Sequence, residues 1–339
     1  MKVLFIGGTG IISSACSALA VERGIDLTLL NRGKTSKRPV PAGARVVQGD
    51  IRDPASVEAA LGDETFDVVV DWVAFVPEHI ETDLALFRGR TGQYVFISSA
   101  SAYRKPPVDL PVTESTLLDN PWWEYSRNKI ACEERLVRAF REEKFPMTIV
   151  RPSHTYDKTL LPMRGGWTVV ERMRQGKPVV VHGDGTSLWV LTHHRDFAKA
   201  FVGLLGNPHA IGEPFHITSD EVLSWNQIFR LVAQAAGVDD PKLVHVPSEV
   251  IARFDADWGA SLLGDKTHSM IFDNTKIKRL VPDYAATIPF ARGVEEIIAW
   301  YEADPARQVI DEEFDVLLDE IVETFERRRN HGQYRGARR

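Results

Sequence analysis

The sequence predicts an α/β fold, a doubly wound parallel sheet with a smaller, mostly C-terminal lobe. Three observations carry that prediction. The first half of the chain alternates near-continuous apolar runs, such as VVVDWV and YVFIS, with helical patterns; a glycine turn follows the first run; and the alternation stops after Arg151. Runs without polar alternation are expected of strands covered on both faces, because βαβ crossovers lay helices over both sides of a parallel sheet.

In chain order, strands are predicted at Lys2–Ile6, Asp26–Asn31, Arg45–Gln48, Asp67–Val73, Gln93–Ser98 and Pro146–Arg151. Helical patterns occupy Ile12–Arg23, Pro54–Leu61, Glu78–Arg88 and Trp122–Glu143. This rhythm puts a ligand at the carboxyl ends of the strands. Past Arg151 come a Gly165–Gly166 turn, a helix reaching Gln175 and the short run VVVH before Gly183. A helix over Arg195–Leu205 and a strand at Glu213–Ile217 return the chain to the main sheet, and Ser224 to Ala303 supplies the shorter helices of a smaller lobe. Phe314, Leu317, Leu318, Ile321 and Phe325 share one face of a last helix, Asp311–Arg329. The expected division is 1–155 with 190–220 for the nucleotide-binding domain, 156–189 and 221–302 for the substrate lobe, and 303–339 for a terminal helix and basic tail.

Composition bounds the function. At 44% hydrophobic and 26% charged residues the chain is an ordinary globular protein. Its 41 basic and 47 acidic residues give a net charge of -6, which argues against a nucleic-acid partner, since polyanion binders carry a basic face. The arginine-rich run 326–339 reads as a solvated terminus. Cys16 and Cys132 fall in helical patterns and suggest no disulfide framework. MKVLFIGG runs straight into the first strand, and no apolar stretch approaches the ~18 residues of a bilayer span. The expectation is a cytoplasmic chain with no leader, no membrane partner and no metal.

The turn Gly7-Gly8-Thr9-Gly10-Ile11-Ile12-Ser13 opens a helix directly after the first strand. Glycines there permit a tight turn and close backbone approach to a pyrophosphate, whose charge faces the helix N-terminus. Gly7, Thr9, Gly10, Ile11 and Ile12 are therefore candidate cofactor contacts in a Rossmann-type domain. Ser13 stands where a third glycine is usual, and a slight shift of the helix is expected from it. The second strand ends in Asn31 and Arg32 where an NAD-selective fold places a carboxylate. Asparagine does not repel a 2′-phosphate and arginine can fork onto one. The cofactor is NADP or NAD, with NADP favoured.

Farther along, FISSASAY ends the fifth strand, and about 26 residues later comes Tyr125-Ser126-Arg127-Asn128-Lys129. Residues four apart share a helix face, so the Lys129 ammonium can stabilise a Tyr125 phenolate and make it a general base. A strand-end serine can hold the substrate oxygen.

On GGTGIIS, GDIRD at Gly49–Asp53, FISSASAY, YSRNK, Arg151-Pro152 and DNTKIKRL at 273–280, the chain resembles the extended short-chain dehydrogenase/reductases, the group of NAD-dependent epimerases, dehydratases and reductases. The resemblance covers roughly residues 1–302. It implies Ser99, with Ser98 and Ser101 as neighbours easily confused with it, Tyr125 and Lys129 as the catalytic set. It also implies Asp50 and Ile51 at the adenine, Val73 and Ala74 along the cofactor, Lys129 on the nicotinamide ribose, and a homodimer through the helices bearing the Tyr/Lys pair. The aliphatic residues Ile130, Leu136 and Val137 serve that interface or the core. Two departures bear on chemistry. Ala100 and Ser101 replace the acidic pair of the dehydratases, and Trp189 follows Gly183-Asp184-Gly185 where nucleotide-sugar enzymes keep a diphosphate-gripping arginine.

Ser99, Ser101, His154, Trp189, His193 and Arg195 are the candidate substrate contacts, with packing or surface roles as the plainer alternative for the histidines. The leading expectation is an epimerase or oxidoreductase acting on a sugar or nucleotide sugar. Ketone reduction on a non-nucleotide small molecule, and a non-catalytic RNA-associated scaffold, are the competing readings.

Overall fold

The computed structural model describes residues 1–33 and 38–336, with side chains through Arg327. It divides into two compact units. The first comprises Met1–Thr155, Val190–Asp220 and Phe272–Ile288; the second comprises Tyr156–Trp189, Glu221–Ile271 and the chain from Pro289 onward.

The first unit runs β1 (Lys2–Ile6), α1 (Ile11–Glu22), β2 (Asp26–Asn31), β3 (Arg45–Gln48), α2 (Pro54–Leu61), β4 (Phe66–Asp71), α3 (Pro77–Phe87), β5 (Thr91–Ile97), α4 (Glu124–Glu143), β6 (Met147–Pro152), α5 (His194–Leu204), β7 (Pro214–Ile217) and α6 (Thr275–Leu280). Its seven strands lie in the order β7-β6-β5-β4-β1-β2-β3, every neighbour parallel. The order reverses between β1 and β4, the switch point at which a doubly wound sheet opens a crevice beyond its strand ends.

Strand residues alternate between two fully buried faces. Val3, Phe5, Leu27, Leu29, Val68 and Val70 pack with Phe197 and Phe201 of α5 and Cys16 of α1. Leu4, Ile6, Leu30, Val69, Tyr94 and Phe96 pack with Val57, Ile80, Leu84, Cys132 and Leu136 of α2, α3 and α4. Because side chains alternate with period two, burial on both faces explains why the sequence shows runs and not alternation. Leu136 therefore belongs to the core, with Val137 packed against it.

The division differs from expectation in two places. Residues 272–288 join the first unit and not the substrate lobe. Asn274 exchanges side-chain and backbone bonds with Thr218, the Tyr284 hydroxyl donates to Thr218 O at 2.8 Å, and Val281 fills the space over Gly203. The terminal helix, Glu312–Gly336, is not a separate element but part of the second unit. Phe314, Leu318, Ile321 and Val322 are buried, and Arg172 bonds both Asp315 and Asp319 across to it. From residue 328 the side chains of the basic tail, and residues 337–339 altogether, lie outside the described part.

The second unit pairs Val179–His182 with Leu243–Val246 in parallel and Leu188–Trp189 with Leu223–Ser224 in antiparallel. Helices Trp167–Arg174, Trp225–Ala235 and Phe290–Glu302 pack around these pairs. Among the described residues no helix is long and apolar enough to cross a membrane, and no cluster of three or more His, Cys, Asp or Glu could hold a metal.

Candidate active site

The glycine turn follows from its own backbone angles. Gly7 and Gly8 have φ of +98° and +112°, and a Cβ on Gly8 would stand 2.7 Å from the Leu29 side chain. Only glycine fits there. Gly10 is the N-cap of α1, and its N–H donates to Ser13 Oγ at 2.8 Å. Ser13 thus has a role the glycine pattern lacks: its buried hydroxyl caps the helix. Ser17 Oγ donates to Gly8 O at 2.8 Å and pins the turn from the next helical turn.

Exposed Gly10, half-buried Thr9, Ile11 and Ile12 and the free end of a 12-residue helix form a cradle that a dinucleotide pyrophosphate fits. His194, beside the candidates His193 and Arg195, brings its Nδ1 to 3.1 Å from Ile11 O across 183 residues of chain.

Asn31 departs from its expected part. With its nitrogen turned to the backbone, the amide donates to Gly7 O at 2.7 Å and to Leu30 O at 3.2 Å. Its donors thereby tie β2 to the glycine turn, and a ribose would meet only its oxygen. Arg32 is exposed just beyond. Asp50 makes an Asx turn, accepting from Arg52 N at 3.1 Å, while its own N–H donates to Ser56 Oγ and Ile51 is buried beside it.

Lys129 is only 2% exposed, and α4 carries it under the ends of β4 and β5. Its ammonium donates to Ala74 O at 2.6 Å and Ile97 O at 2.7 Å. The rings of Phe75, Phe96 and Tyr125 surround it, with centroids at 4.7, 4.9 and 5.8 Å. Burial lowers its pKa to about 8. Tyr125, half-buried one turn earlier, stacks obliquely on Trp123 at 4.9 Å.

The serines separate cleanly. Ser98 is buried and bonds Glu133, which forms a 2.6 Å ion pair with Arg151 in the core. Ser99 is half-buried, and its Oγ accepts from Ser101 N at 3.2 Å. Ser126 Oγ donates to Ser101 Oγ at 2.7 Å, and Ser101 Oγ lies 2.9 Å from Ser99 Oγ. Ser99, Ser101 and Ser126 thus form one chain of hydroxyls, with Ser99 at its half-buried end. Ser101, expected as a substrate contact, is buried and bonded to the hydroxyls on either side of it.

Two other candidates are likewise buried. Trp189 is 2% exposed and packs on Trp225 at 5.7 Å, which leaves no face for a ligand to stack on. His193 is buried and caps α5, its Nδ1 accepting from Arg195 N at 3.2 Å. His154 is half-buried and Arg195 exposed. The Gly183-Asp184-Gly185 turn is built for itself: Asp184 accepts from Thr186 N and Oγ1, and Asn226 closes over Gly185.

Sequence reasoning missed the groups that hold the Val73–Ala74 loop. Arg52 donates to Val73 O, Asp71 accepts from Val73 N, and His79 Nδ1 accepts from Phe75 N at 3.0 Å. The available signal was an acid, Asp71, directly after the apolar run Val68–Val70.

Comparison with known proteins agrees with this architecture. Over 256 residues the chain is 28% identical to the chloroplast stem-loop binding protein of 41 kDa b of Arabidopsis thaliana, covering 72% of this chain and 65% of the relative's length. It is 29% identical over 311 residues to the 2'-dehydrokanamycin reductase of Streptomyces kanamyceticus, covering 88% of this chain and 84% of that one. Among solved structures, the UDP-glucose 4-epimerase of Thermus thermophilus in complex with NAD superposes with a TM-score of 0.70 at 20% identity, over 89% of this chain and 99% of the other. The family model described as "NAD dependent epimerase/dehydratase family" matches residues 3–218. With well over half its length matched by that model, the chain belongs to the NAD-dependent epimerase/dehydratase family.

Proposed function

We propose that the protein is an NAD(P)-dependent enzyme that interconverts carbinol and ketone on a sugar-like substrate, with Tyr125 as acid/base. The observation that carries this reading is the buried Lys129 ammonium, hung from two backbone carbonyls beneath the Tyr125 ring. Such a charge favours a phenolate and so makes Tyr125 able to take a hydroxyl proton, or return it. Ser99, at the half-buried end of its hydroxyl chain, would hold the substrate oxygen as the proton moves. Gly7, Thr9, Gly10, Ile11 and Ile12 would hold the pyrophosphate, Asp50 and Ile51 the adenine, and Val73, Ala74, Tyr125 and Lys129 the nicotinamide half. The nicotinamide, when bound, supplies or accepts the hydride.

Arg32, exposed at the end of β2, favours NADP. Arg32→Ala is expected to lower the ratio of NADP to NAD efficiency at least tenfold, and an unchanged ratio sinks that part of the reading. Ala100 and Ser101 behind Ser99 leave no acidic pair for dehydration.

The substrate class divides two ways. Nucleotide-sugar epimerisation has the Thermus thermophilus enzyme as its structural neighbour. Reduction of a ketone on a sugar without a nucleotide has the reductase relative, aligned over most of both chains, and is also favoured by Trp189, which is buried where a diphosphate would need a cation. Denaturing the purified protein and identifying any released nucleotide separates them. Tightly held NAD supports epimerisation; an empty site that binds NADPH supports ketone reduction.

The stem-loop binding relative motivates a third reading, RNA binding. The net charge of -6 and the intact Ser99, Tyr125 and Lys129 weigh against it. Filter binding of stem-loop RNA at two salt concentrations tests it, since tight binding that weakens steeply with salt would revive it.

A further inference from the structure

Beneath the Val73–Phe75 loop lies a layer of buried charge that the Tyr/Lys chemistry does not itself use. Asp71, at the end of β4, and Asp83, on α3, are both completely buried. Besides burial, the charge of Asp71 is among the causes that raise the Asp83 carboxyl. Asp71 Oδ1 accepts from Val73 N, and Asp83 Oδ2 accepts from the Tyr94 hydroxyl. The remaining two oxygens, Asp71 Oδ2 and Asp83 Oδ1, are buried and meet no donor among the described residues. Two neighbouring carboxylates buried in such a place do not both stay ionised, and a proton on Asp83 relieves the pair. Arg52 completes the layer: its Nη2 donates to Val73 O.

The loop is therefore gripped at four successive points. Asp71 holds Val73 N, Arg52 holds Val73 O, Lys129 holds Ala74 O and His79 holds Phe75 N.

We propose that Asp71 and Arg52 are positioning residues for Lys129: gripping Val73 N and Val73 O, they fix the cofactor loop whose Ala74 carbonyl holds the ammonium, and their opposite charges act on that ammonium from either side of its balance. The inference rests on the reading of Lys129 given above.

The surroundings of Lys129 leave these two charges as the effective ones. On α4 it faces Tyr125, Cys132 and Glu133; from β4 comes Asp71, from the β3–α2 connection Arg52, and α3 adds His79 beside them. Burial pushes the Cys132 thiol up to about 12, so it is neutral where Lys129 titrates. Glu133 is matched by Arg151. Burial, and then Arg52, hold His79 below its ordinary value and so neutral. Burial and then the charge of Asp71 drive Asp83 well above the carboxylate range, which agrees with its keeping the proton.

The test follows the ammonium directly. The whole chain without cofactor is labelled with ¹⁵N-lysine, the Lys129 signal is assigned by its loss in Lys129→Met, and its titration is followed by NMR. Asp71→Asn is expected to move the midpoint down by about one pH unit, and Arg52→Met up by about one. Asp83→Asn keeps a donor to Asp71 and an acceptor for Tyr94, so its midpoint is expected to match the wild type. Shifts of one sign in Asp71→Asn and Arg52→Met, no shift in either, or an Asp83→Asn midpoint that moves like Asp71→Asn overturns the proposal. Should Asp71→Asn fail to fold, Arg52→Met decides alone: an upward shift supports the proposal and its absence refutes it.

Kinetics separate this inference from the reading beneath it. Where Lys129 serves Tyr125, the alkaline limb of kcat/KM moves with each NMR midpoint. NMR midpoints that shift while the limb stays put would count against the Tyr125–Lys129 chemistry and leave the charge layer standing.

Discussion

At the scale of single residues, the proposed chemistry turns on one phenol and one ammonium. Tyr125→Phe keeps the ring on Trp123 and removes the proton, and is expected to cost about 10²–10⁴ in the hydride-transfer step measured by single turnover. In that chemistry the buried Lys129 would set the pH dependence. It must be protonated to favour a phenolate, so activity is expected to fall as pH rises through about 8. The same shift has a sign in stability. Lys129 titrates near 8 folded and near 10.5 unfolded, so between those values the unfolded chain binds more protons and stability rises with pH. The stability difference between wild type and Lys129→Met should move toward wild type by about 3 kcal/mol from pH 7 to pH 11, read by urea titration. These residues were legible because a four-residue spacing is a local property of a helix. That Ser99 stays half-buried while Ser98 binds Glu133 was not, since the deciding partners sit 35 residues away on α4.

Among elements, the strand-turn-helix at the N-terminus and the seam of α4 against β6 are the two places where one change should propagate. Gly8→Ala forces a Cβ against Leu29 at a φ of +112°, and is expected to destabilise the chain by about 1–3 kcal/mol and weaken dinucleotide binding at least tenfold. Fluorescence titration of NADH or NADPH, with thermal melts alongside, measures both. Glu133→Ala strands the buried Arg151 guanidinium and should cost about 3–5 kcal/mol in chemical denaturation. A loss below 1 kcal/mol would mean that water reaches Arg151. Element identities followed from apolar runs and glycine punctuation, and most boundaries fall within two residues of those read from sequence. Strand β4 ends at Asp71, two residues short of expectation. Asp71 bonds Val73 N and turns the chain into the loop there.

For the whole molecule, the second unit carries an acid liability. His182 is buried, its Nε2 lies 3.1 Å from Lys266 O, and desolvation lowers its pKa to about 4. The unfolded chain binds that proton near 6.5, so the neutral form's stability is complete above pH 6.5 and lost as pH falls through 4. About 3 kcal/mol is expected to disappear over that range, and His182→Gln should flatten the slope when stability is followed by urea titration at each pH. Domain boundaries were the least legible feature at this scale. Residues 272–288 are sequence neighbours of the second unit, yet Asn274, Val281 and Tyr284 find their partners at Thr218 and Gly203 in the first.

The amino-acid sequence by itself determined the α/β alternation, the glycine turn ahead of α1 and the Tyr125–Lys129 spacing, because strand and helix periodicity and positive-φ turns are settled within a few residues. Only the tertiary structure decided which side chains reach the site. Trp189 and His193 are buried by neighbours, the Asn31 amide is claimed by the glycine turn, and the packing of α3 on the sheet buries Asp83 on Tyr94. Burial and hydrogen-bond partnership are relations between distant segments, and no local pattern encodes them.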